Sequence, residues 1–157
     1  ALIDRDWGWI VGRSGAILGR GLGDWVNQAT PTQQDLYSVV NVSYSEGWAV
    51  GDGGTILHRA ANTWMEFPSP TQNALLSVFF LPSGQEGWSV GAQGSILHYL
   101  NGAWVMDSSP TQETLHSVDM LSPTSGWAVG DAGTILYYGA NLTEHLYLPL
   151  MTGPSGN

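Results

Sequence analysis

One short stretch carries the residue types of a metal or phosphate loop. Residues 47–58 read GWAVGDGGTILH and place a single carboxylate, Asp52, among glycines. A calcium loop needs several oxygen ligands at close spacing, and this stretch offers one carboxylate. Related stretches place other residues at the position of Asp52, namely Arg13, Ala92 and Asp131. Because one chemistry would need one residue type, we predict that Asp52 is a solvent-facing turn residue.

The histidines also invite a metal or catalytic interpretation. His58 and His98 occupy equivalent positions in two of these stretches, and Tyr137 and Gly19 occupy that position in the others. They could converge to bind a metal, but their exchange with tyrosine favours amphipathic strand residues. His116 and His145 have neither an H-x-x-x-H spacing nor a carboxylate partner in the sequence. We therefore predict no histidine metal site.

Hydroxyl and carboxylate groups complete the search for chemistry. A serine recurs three times, as Ser38, Ser77 and Ser117, which is typical of a packing residue rather than a nucleophile. His116 stands beside Ser117 without a nucleophile elbow or an oxyanion loop. Glu46 and Glu86 precede two Gly-Trp pairs and are expected to be solvated. The sequence therefore predicts no catalytic residue, no metal ligand and no cofactor.

The stretches belong to a repeat that spans the chain. Their tryptophans, Trp9, Trp48, Trp88 and Trp127, are spaced by 39, 40 and 39 residues. A second tryptophan recurs as Trp25, Trp64 and Trp104. Pro-Thr-Gln and Leu-x-Ser-Val recur in phase, and the threonines Thr32, Thr71 and Thr111 are candidate O-glycan sites. Repeats of this length indicate a solenoid, a propeller or an array.

Each unit is predicted to form strands. The Leu-x-Ser-Val, Trp-Ala-Val and Thr-Ile-Leu-His runs are rich in β-formers and separated by turn residues, and no helical apolar stripe is present. Four strands in about 40 residues are typical of a β-propeller blade. We therefore predict an all-β, four-bladed propeller in one domain, with blades over residues 1–30, 31–69, 70–109 and 110–150 and a tail over 151–157.

Glycines and tryptophans are assigned structural roles. Two glycines flank each turn, where glycine accepts positive φ without strain. These turn glycines are Gly12, Gly15, Gly51, Gly54, Gly91, Gly94, Gly130 and Gly133. The first tryptophan of each unit could stack on a sugar, but its place on the same strand of every blade favours packing between sheets. Trp7 lies outside the pattern and is the best candidate for an exposed aromatic residue.

These motifs carry a resemblance. GWAVGDGGTILH, followed by tryptophan, Pro-Thr and Leu-x-Ser-Val, resembles the repeat of the Ycf48/Hcf136 family of photosystem II assembly factors, and more broadly the bacterial BNR (Asp-box-like) propeller repeats of secreted proteins. The resemblance implies a protein-binding or assembly-factor role and a ring of seven blades, whereas this chain holds four units. Asp52-Gly53-Gly54-Thr55 departs from the Asp-box spacing, and four arginines do not supply a sialidase triad.

The amino-acid composition limits the classes of partner that this chain is expected to bind. The net charge is −9 and the chain contains no lysine, which argues against nucleic acid as a partner. Three of the four arginines lie within the first 25 residues, whereas ten carboxylates follow residue 25. No apolar run is long enough to span a membrane. Asn41 and Asn141 begin N-glycosylation sequons.

The ends of the repeat suggest self-assembly. The first unit holds only the end of its Leu-x-Ser-Val strand, so its sheet has an open edge, and open edges recruit strands. The apolar segment 144–150 could close the ring within the chain or add to the next molecule. The residues expected to take part in assembly are Ala1, Leu2, Ile3, Arg5, Trp7, Leu146, Tyr147, Leu148 and Leu150.

Two functions follow from the sequence. The leading hypothesis is a non-enzymatic, extracellular structural protein that assembles head to tail, as in a filament. The alternative is a Ycf48-like module that holds a protein or a glycan.

Overall fold

The computed structural model describes residues 7–141 and 144–149, with side chains as far as residue 139. These residues form fifteen strands in four antiparallel sheets. Blade 1 contains β1 (Trp7–Val11), β2 (Ile17–Gly21) and β3 (Val26–Asn27); blade 2 contains β4 (Leu36–Asn41), β5 (Gly47–Gly51), β6 (Ile56–Ala60) and β7 (Thr63–Glu66). Blade 3 contains β8 (Leu75–Phe80), β9 (Gly87–Gly91), β10 (Ile96–Leu100) and β11 (Ala103–Met106); blade 4 contains β12 (Leu115–Ser122), β13 (Ser125–Gly130), β14 (Ile135–Asn141) and β15 (Glu144–Pro149).

The sheets confirm the all-β propeller of four blades. Strands follow chain order within each sheet, so each blade is a meander that lies within one predicted unit. Residues 7–141 and 144–149 contain no α-helix, only single 3-10 turns between the second and third strands of the repeat. No helix in the described part of the chain has the length and apolarity of a membrane-spanning helix.

The hydrophobic cores lie between neighbouring blades. Each core joins the forward face of one blade, which carries its first tryptophan, to the rear face of the next blade. Trp48 of blade 2, for example, packs against Leu75, Val78 and Trp104 of blade 3. Trp48 and Trp88 are fully buried, and Trp9 is 4% exposed. Since these three rings are covered by protein, they are structural and do not form a sugar-binding surface.

The two glycine sets serve different purposes. Gly54 has a φ of +71°, whereas Gly51 has an extended φ of −168°, which corrects the expectation that both supply positive φ. Gly51 is required because a Cβ there would overlap the carbonyl oxygen of Asp35, which accepts a hydrogen bond from Asp52 N–H. The residue just before the second glycine of each turn also has a positive φ. These residues are Ser14, Gly53, Gln93 and Ala132.

The repeated serines bind neighbouring blades together. The Ser38 hydroxyl accepts a hydrogen bond from Val78 N–H at 3.2 Å, and the Ser77 hydroxyl accepts one from Val118 N–H at 3.3 Å. Each bond runs from one blade to the first strand of the next. Ser38 and Ser77 are therefore packing residues with a specific polar contact between blades.

The blades form an open arc. Neighbouring blades pack in chain order, through β1 on β4, β4 on β8 and β8 on β12, and no comparable packing joins blade 4 to blade 1 among the described residues. Trp127 is 37% exposed and Val129 is 42% exposed on the forward face of blade 4, whereas their equivalents in blades 2 and 3 are buried. A Cβ on Gly133 would meet nothing, although the equivalent Gly54 is covered by the Thr71 carbonyl of the next connector. Within the described part of the chain, nothing covers the forward face of blade 4.

The C-terminal strand completes its own sheet. β15 pairs with β14, which places Leu146, Tyr147 and Leu148 opposite Gly139, Tyr138 and Tyr137. In the structure this strand occupies the edge of blade 4. Its addition to another subunit, which the self-assembly hypothesis expects, stays a prediction. Five predicted positions, Ala1, Leu2, Ile3, Arg5 and Leu150, lie outside the described residues, as does the tail 151–157.

The buried phenol of Tyr138 is expected to lower the stability of the fold at alkaline pH. Burial, together with Asp107 and Glu86, raises the pKa of Tyr138 to about 12 from an ordinary value of 10.0. The folded state favours the neutral phenol. Tyr138 therefore contributes its full stabilisation below pH 10.0, the ordinary pKa, and this stabilisation is lost as the pH rises towards the folded-state pKa of about 12. We expect the free energy of unfolding of the wild type to fall across this pH interval. That of the Tyr138→Phe variant should fall less steeply. Urea unfolding at several alkaline pH values measures this; equal slopes in both proteins would contradict it.

Candidate functional site

A Trp-His-Glu arrangement recurs in two blades. The imidazole of His58 stacks on Trp48 at a centroid distance of 4.0 Å, and Nε2 of His58 lies 3.2 Å from Glu46 Oε1. In blade 3 the imidazole of His98 stacks on Trp88 at 4.6 Å, with Nε2 2.9 Å from Glu86 Oε1. The Glu46 side chain is 41% exposed, as the solvation prediction expects, whereas that of Glu86 is 18% exposed. The strand pairing brings each glutamate beside a histidine.

The equivalent residues of blade 4 indicate that the Trp-His-Glu arrangement is structural. In blade 4 the equivalent residues are Trp127, Tyr137 and Ser125, and the Ser125 hydroxyl lies 3.4 Å from the Tyr137 hydroxyl. The histidine and its carboxylate are thus replaced together by a second hydrogen-bonding pair beside the tryptophan. Such joint replacement is expected of a packing unit, so His58 and His98 are strand residues that exchange with tyrosine.

The turn carboxylates also have partners. Nε2 of His116 lies 2.6 Å from Asp131 Oδ1, with both side chains about half exposed, which corrects the view of His116 as isolated. At the equivalent place in blade 2, a side-chain hydrogen bond with Asp52 raises the pKa of Tyr37. Asp52 is therefore a turn residue that contacts the first strand of its own blade. No group of three or more potential metal-ligating side chains occurs among the described residues.

A cleft between blades 1 and 2 is the best candidate for a binding site. It has a volume of about 280 Å³ and includes Trp7, Trp9, Val26, Gln28 and Arg59 in its lining. Trp9 and Arg59 come from facing blades, since the Arg59 guanidinium carbon lies 4.3 Å above the Trp9 ring. Trp7 contacts Tyr44 edge-on at 5.5 Å and is half-buried, so it forms one wall of the cleft.

Arg59 is the unusual residue of this cleft. It is 5% exposed, and burial lowers its pKa. Its Nη2 donates to Asn62 Oδ1 at 2.9 Å and its Nη1 to the Tyr44 carbonyl at 3.4 Å, whereas Nε has no hydrogen-bond partner. No carboxylate among the described residues pairs with Arg59. A buried cation without a counter-charge is costly, and an incoming carboxylate would reduce that cost.

Arg59 was not predicted as a site residue, although the repeat holds a signal for it. Its position in the repeat holds an arginine in blades 1 and 2, Arg20 and Arg59, and a tyrosine in blades 3 and 4, Tyr99 and Tyr138, so the change of residue type marks this position. Trp25, predicted to open a strand, lies just before β3. Both side-chain polar atoms of Asn41 are buried, so a glycan at that sequon would require the folded structure to open locally. The Asn141 side chain lies outside the described set.

Comparisons with known proteins place the fold but no family. No protein-family model and no curated protein sequence matches the chain. Among solved structures, Ycf48 bound to a D1 peptide matches with a TM-score of 0.63 and 20% identity over 94% of this chain and 46% of the other. A Bacteroides uniformis protein provisionally assigned as a 6-phosphogluconolactonase matches with a TM-score of 0.59 and 12% identity over 99% of this chain and 56% of the other.

These matches support a Ycf48-like propeller fold. At 20% and 12% identity they show the fold alone. The chain spans about half the length of each of these two structures. Propellers host many activities, so function has to be argued from the residues of the cleft.

Proposed function

We propose that this chain is a non-enzymatic, protein-binding propeller module whose cleft between blades 1 and 2 holds an acidic segment of a partner protein. The observation that carries the proposal is the buried guanidinium of Arg59, which has an unpartnered Nε and no carboxylate beside it among the described residues. Ycf48, a similar fold, is bound to a peptide in its solved structure, which supports a peptide or protein ligand for this chain.

The cleft can bind both the charge and the apolar part of such a segment. Arg59 is held in place by Asn62 and by the Trp9 ring, so little side-chain entropy would be lost when a carboxylate binds. Trp7 and Val26 add apolar surface to the lining, and Val26 is 59% exposed. A planar aromatic wall beside a fixed cation suits a short extended peptide that carries Asp or Glu next to an apolar residue.

This proposal can be tested with short fluorescent peptides. Peptides that pair an apolar residue with Glu are compared with otherwise identical peptides that carry Gln, and binding to the full chain is measured by fluorescence anisotropy. We expect the Glu peptides to bind more tightly, and Arg59→Gln to weaken their binding by about tenfold or more, because a charge-assisted hydrogen bond is lost.

Two further variants control the experiment. Arg13→Gln removes an arginine in the exposed turn of blade 1 and should leave binding unchanged. Gln28→Glu places a negative charge in the cleft lining without altering the core and should weaken the Glu peptides. Equal binding of Glu and Gln peptides by a folded wild-type chain would overturn the proposal.

A second candidate function is the extracellular structural subunit suggested by the sequence. One observation favours it, namely the uncovered face of blade 4 at one end of the arc. Its mechanism differs from the strand addition expected from the sequence, because β15 is already paired with β14. Assembly would have to proceed through contact between blade faces.

A further inference from the structure

One aromatic contact recurs at every junction between blades. The fourth residue of strands β6, β10 and β14 lies over the first tryptophan of the preceding blade. The Arg59 guanidinium carbon is 4.3 Å from the Trp9 ring centre, the Tyr99 ring 4.9 Å from Trp48, and the Tyr138 ring 6.1 Å from Trp88. The contact therefore tolerates a cation or a tyrosine above the tryptophan.

A second contact covers the same tryptophans from the side. Trp64 of blade 2 meets Trp9 edge-on at 5.7 Å, and Trp104 of blade 3 meets Trp48 edge-on at 5.8 Å. Each first tryptophan at these junctions is thus enclosed by two residues from the next blade. The pair explains why Trp9 and Trp48 are buried.

Blade 4 has the tryptophan of this contact, and blade 1 has the equivalents of the two residues that cover it. Trp127 has no following blade among the described residues, and its ring partner is Tyr137 of its own blade. Arg20 and Trp25 are the blade 1 equivalents of Arg59 and Trp64, and no preceding blade is described for them. Ile10 of the same rear face is 46% exposed, whereas its equivalents Ala49 and Ala128 are fully buried.

Charge at the two ends is also complementary. Asp119 pairs in register with Trp127 and is exposed on the forward face of blade 4, at the position where blade 2 carries Val40. Arg20 stands on the rear face of blade 1, and its Nε donates to the Gly23 carbonyl. An arginine placed over Trp127 would therefore meet a ring and a carboxylate together.

We infer that the forward face of blade 4 binds the rear face of blade 1 in a second copy of this chain. Arg20 and Trp25 of one copy would cover Trp127 of the other, as Arg59 and Trp64 cover Trp9 within the chain. The contact joins two different surfaces, so it is heterologous and can build a closed ring or a longer assembly. It can be tested separately from the proposed peptide binding, because Trp127 and Ile10 are not among the residues given for the lining of the cleft between blades 1 and 2, although Arg20 is.

Sedimentation of the full chain over a range of concentrations tests this inference. We expect the wild type to form dimers or larger species. Trp127→Glu blocks the forward face and Ile10→Glu blocks the rear face, and each should weaken association by about tenfold or more, because a charge would be buried in the contact. An equal mixture of the two variants should form a single dimer, since each variant keeps one intact face.

Control variants make the outcome specific. Met65→Glu changes an apolar strand residue that is 49% exposed and lies on neither end face, so it should associate like the wild type. Arg59→Gln should also associate normally, and Trp127→Glu should bind the peptide probe normally. A wild type that stays monomeric at every concentration would overturn the inference. So would an Ile10→Glu variant that associates like the wild type, or a variant mixture that stays monomeric.

Discussion

Trp88→Ala is expected to lower the free energy of unfolding by about 3–5 kcal/mol. Trp88 is fully buried, stacks on His98 and packs in the core between blades 3 and 4. Its removal would leave a large cavity at a junction where strands from both blades meet, and partial relaxation cannot fill such a cavity. Urea unfolding followed by far-UV circular dichroism measures the difference.

Trp127→Ala is the matched control, because Trp127 occupies the same place in the repeat but is 37% exposed. In dilute protein we expect this substitution to cost less than about half as much as Trp88→Ala, since less surface is removed from a packed environment. At high concentration the cost should grow, because association would cover Trp127. Equal costs for the two substitutions in a monomeric sample would show that the forward face of blade 4 is covered within the chain.

Gly91→Ala is expected to cost about 1–3 kcal/mol, which is the usual range for overpacking. The backbone of Gly91 is extended, with a φ of −172°, so conformational strain is not the cause. The cost arises because the added Cβ would overlap the carbonyl oxygen of Ala74, which accepts a hydrogen bond from Ala92 N–H. Either the two strands separate or the turn loses this bond.

Gly12→Ala tests the same change without the overlap. Gly12 has the same extended conformation, with a φ of −168°, but a Cβ there would meet nothing within 4 Å. We expect this substitution to be neutral, or to stabilise the fold slightly by restricting the unfolded chain. Urea midpoints of both variants, measured with the wild type, give the comparison. A similar loss at both positions would show that the requirement for glycine is conformational.

Most of the fold could be predicted from the sequence, because the blade is a local structure repeated four times. The strands pair with their neighbours in the chain, so the spacing of Trp9, Trp48, Trp88 and Trp127 was enough to indicate a meander of four strands per unit. The contact between Glu86 and His98 could also have been predicted from the repeat. The two residues lie twelve positions apart, and the same pair recurs as Glu46 and His58. Neither residue predicts the contact by itself, because the contact depends on the register between the two strands.

By itself the sequence determined the strand pattern, the turn positions and the buried tryptophans. The alternation of apolar and polar residues and the placement of glycines act within one blade, so they do not depend on how blades meet. Only the tertiary structure decided how the blades meet. It placed Arg59 over Trp9 without a described carboxylate, seated β15 in its own sheet, and left Trp127 and Ile10 uncovered at opposite ends of the arc. These features depend on contacts between residues that are distant along the chain and on the angle between successive blades, and no local pattern encodes that angle.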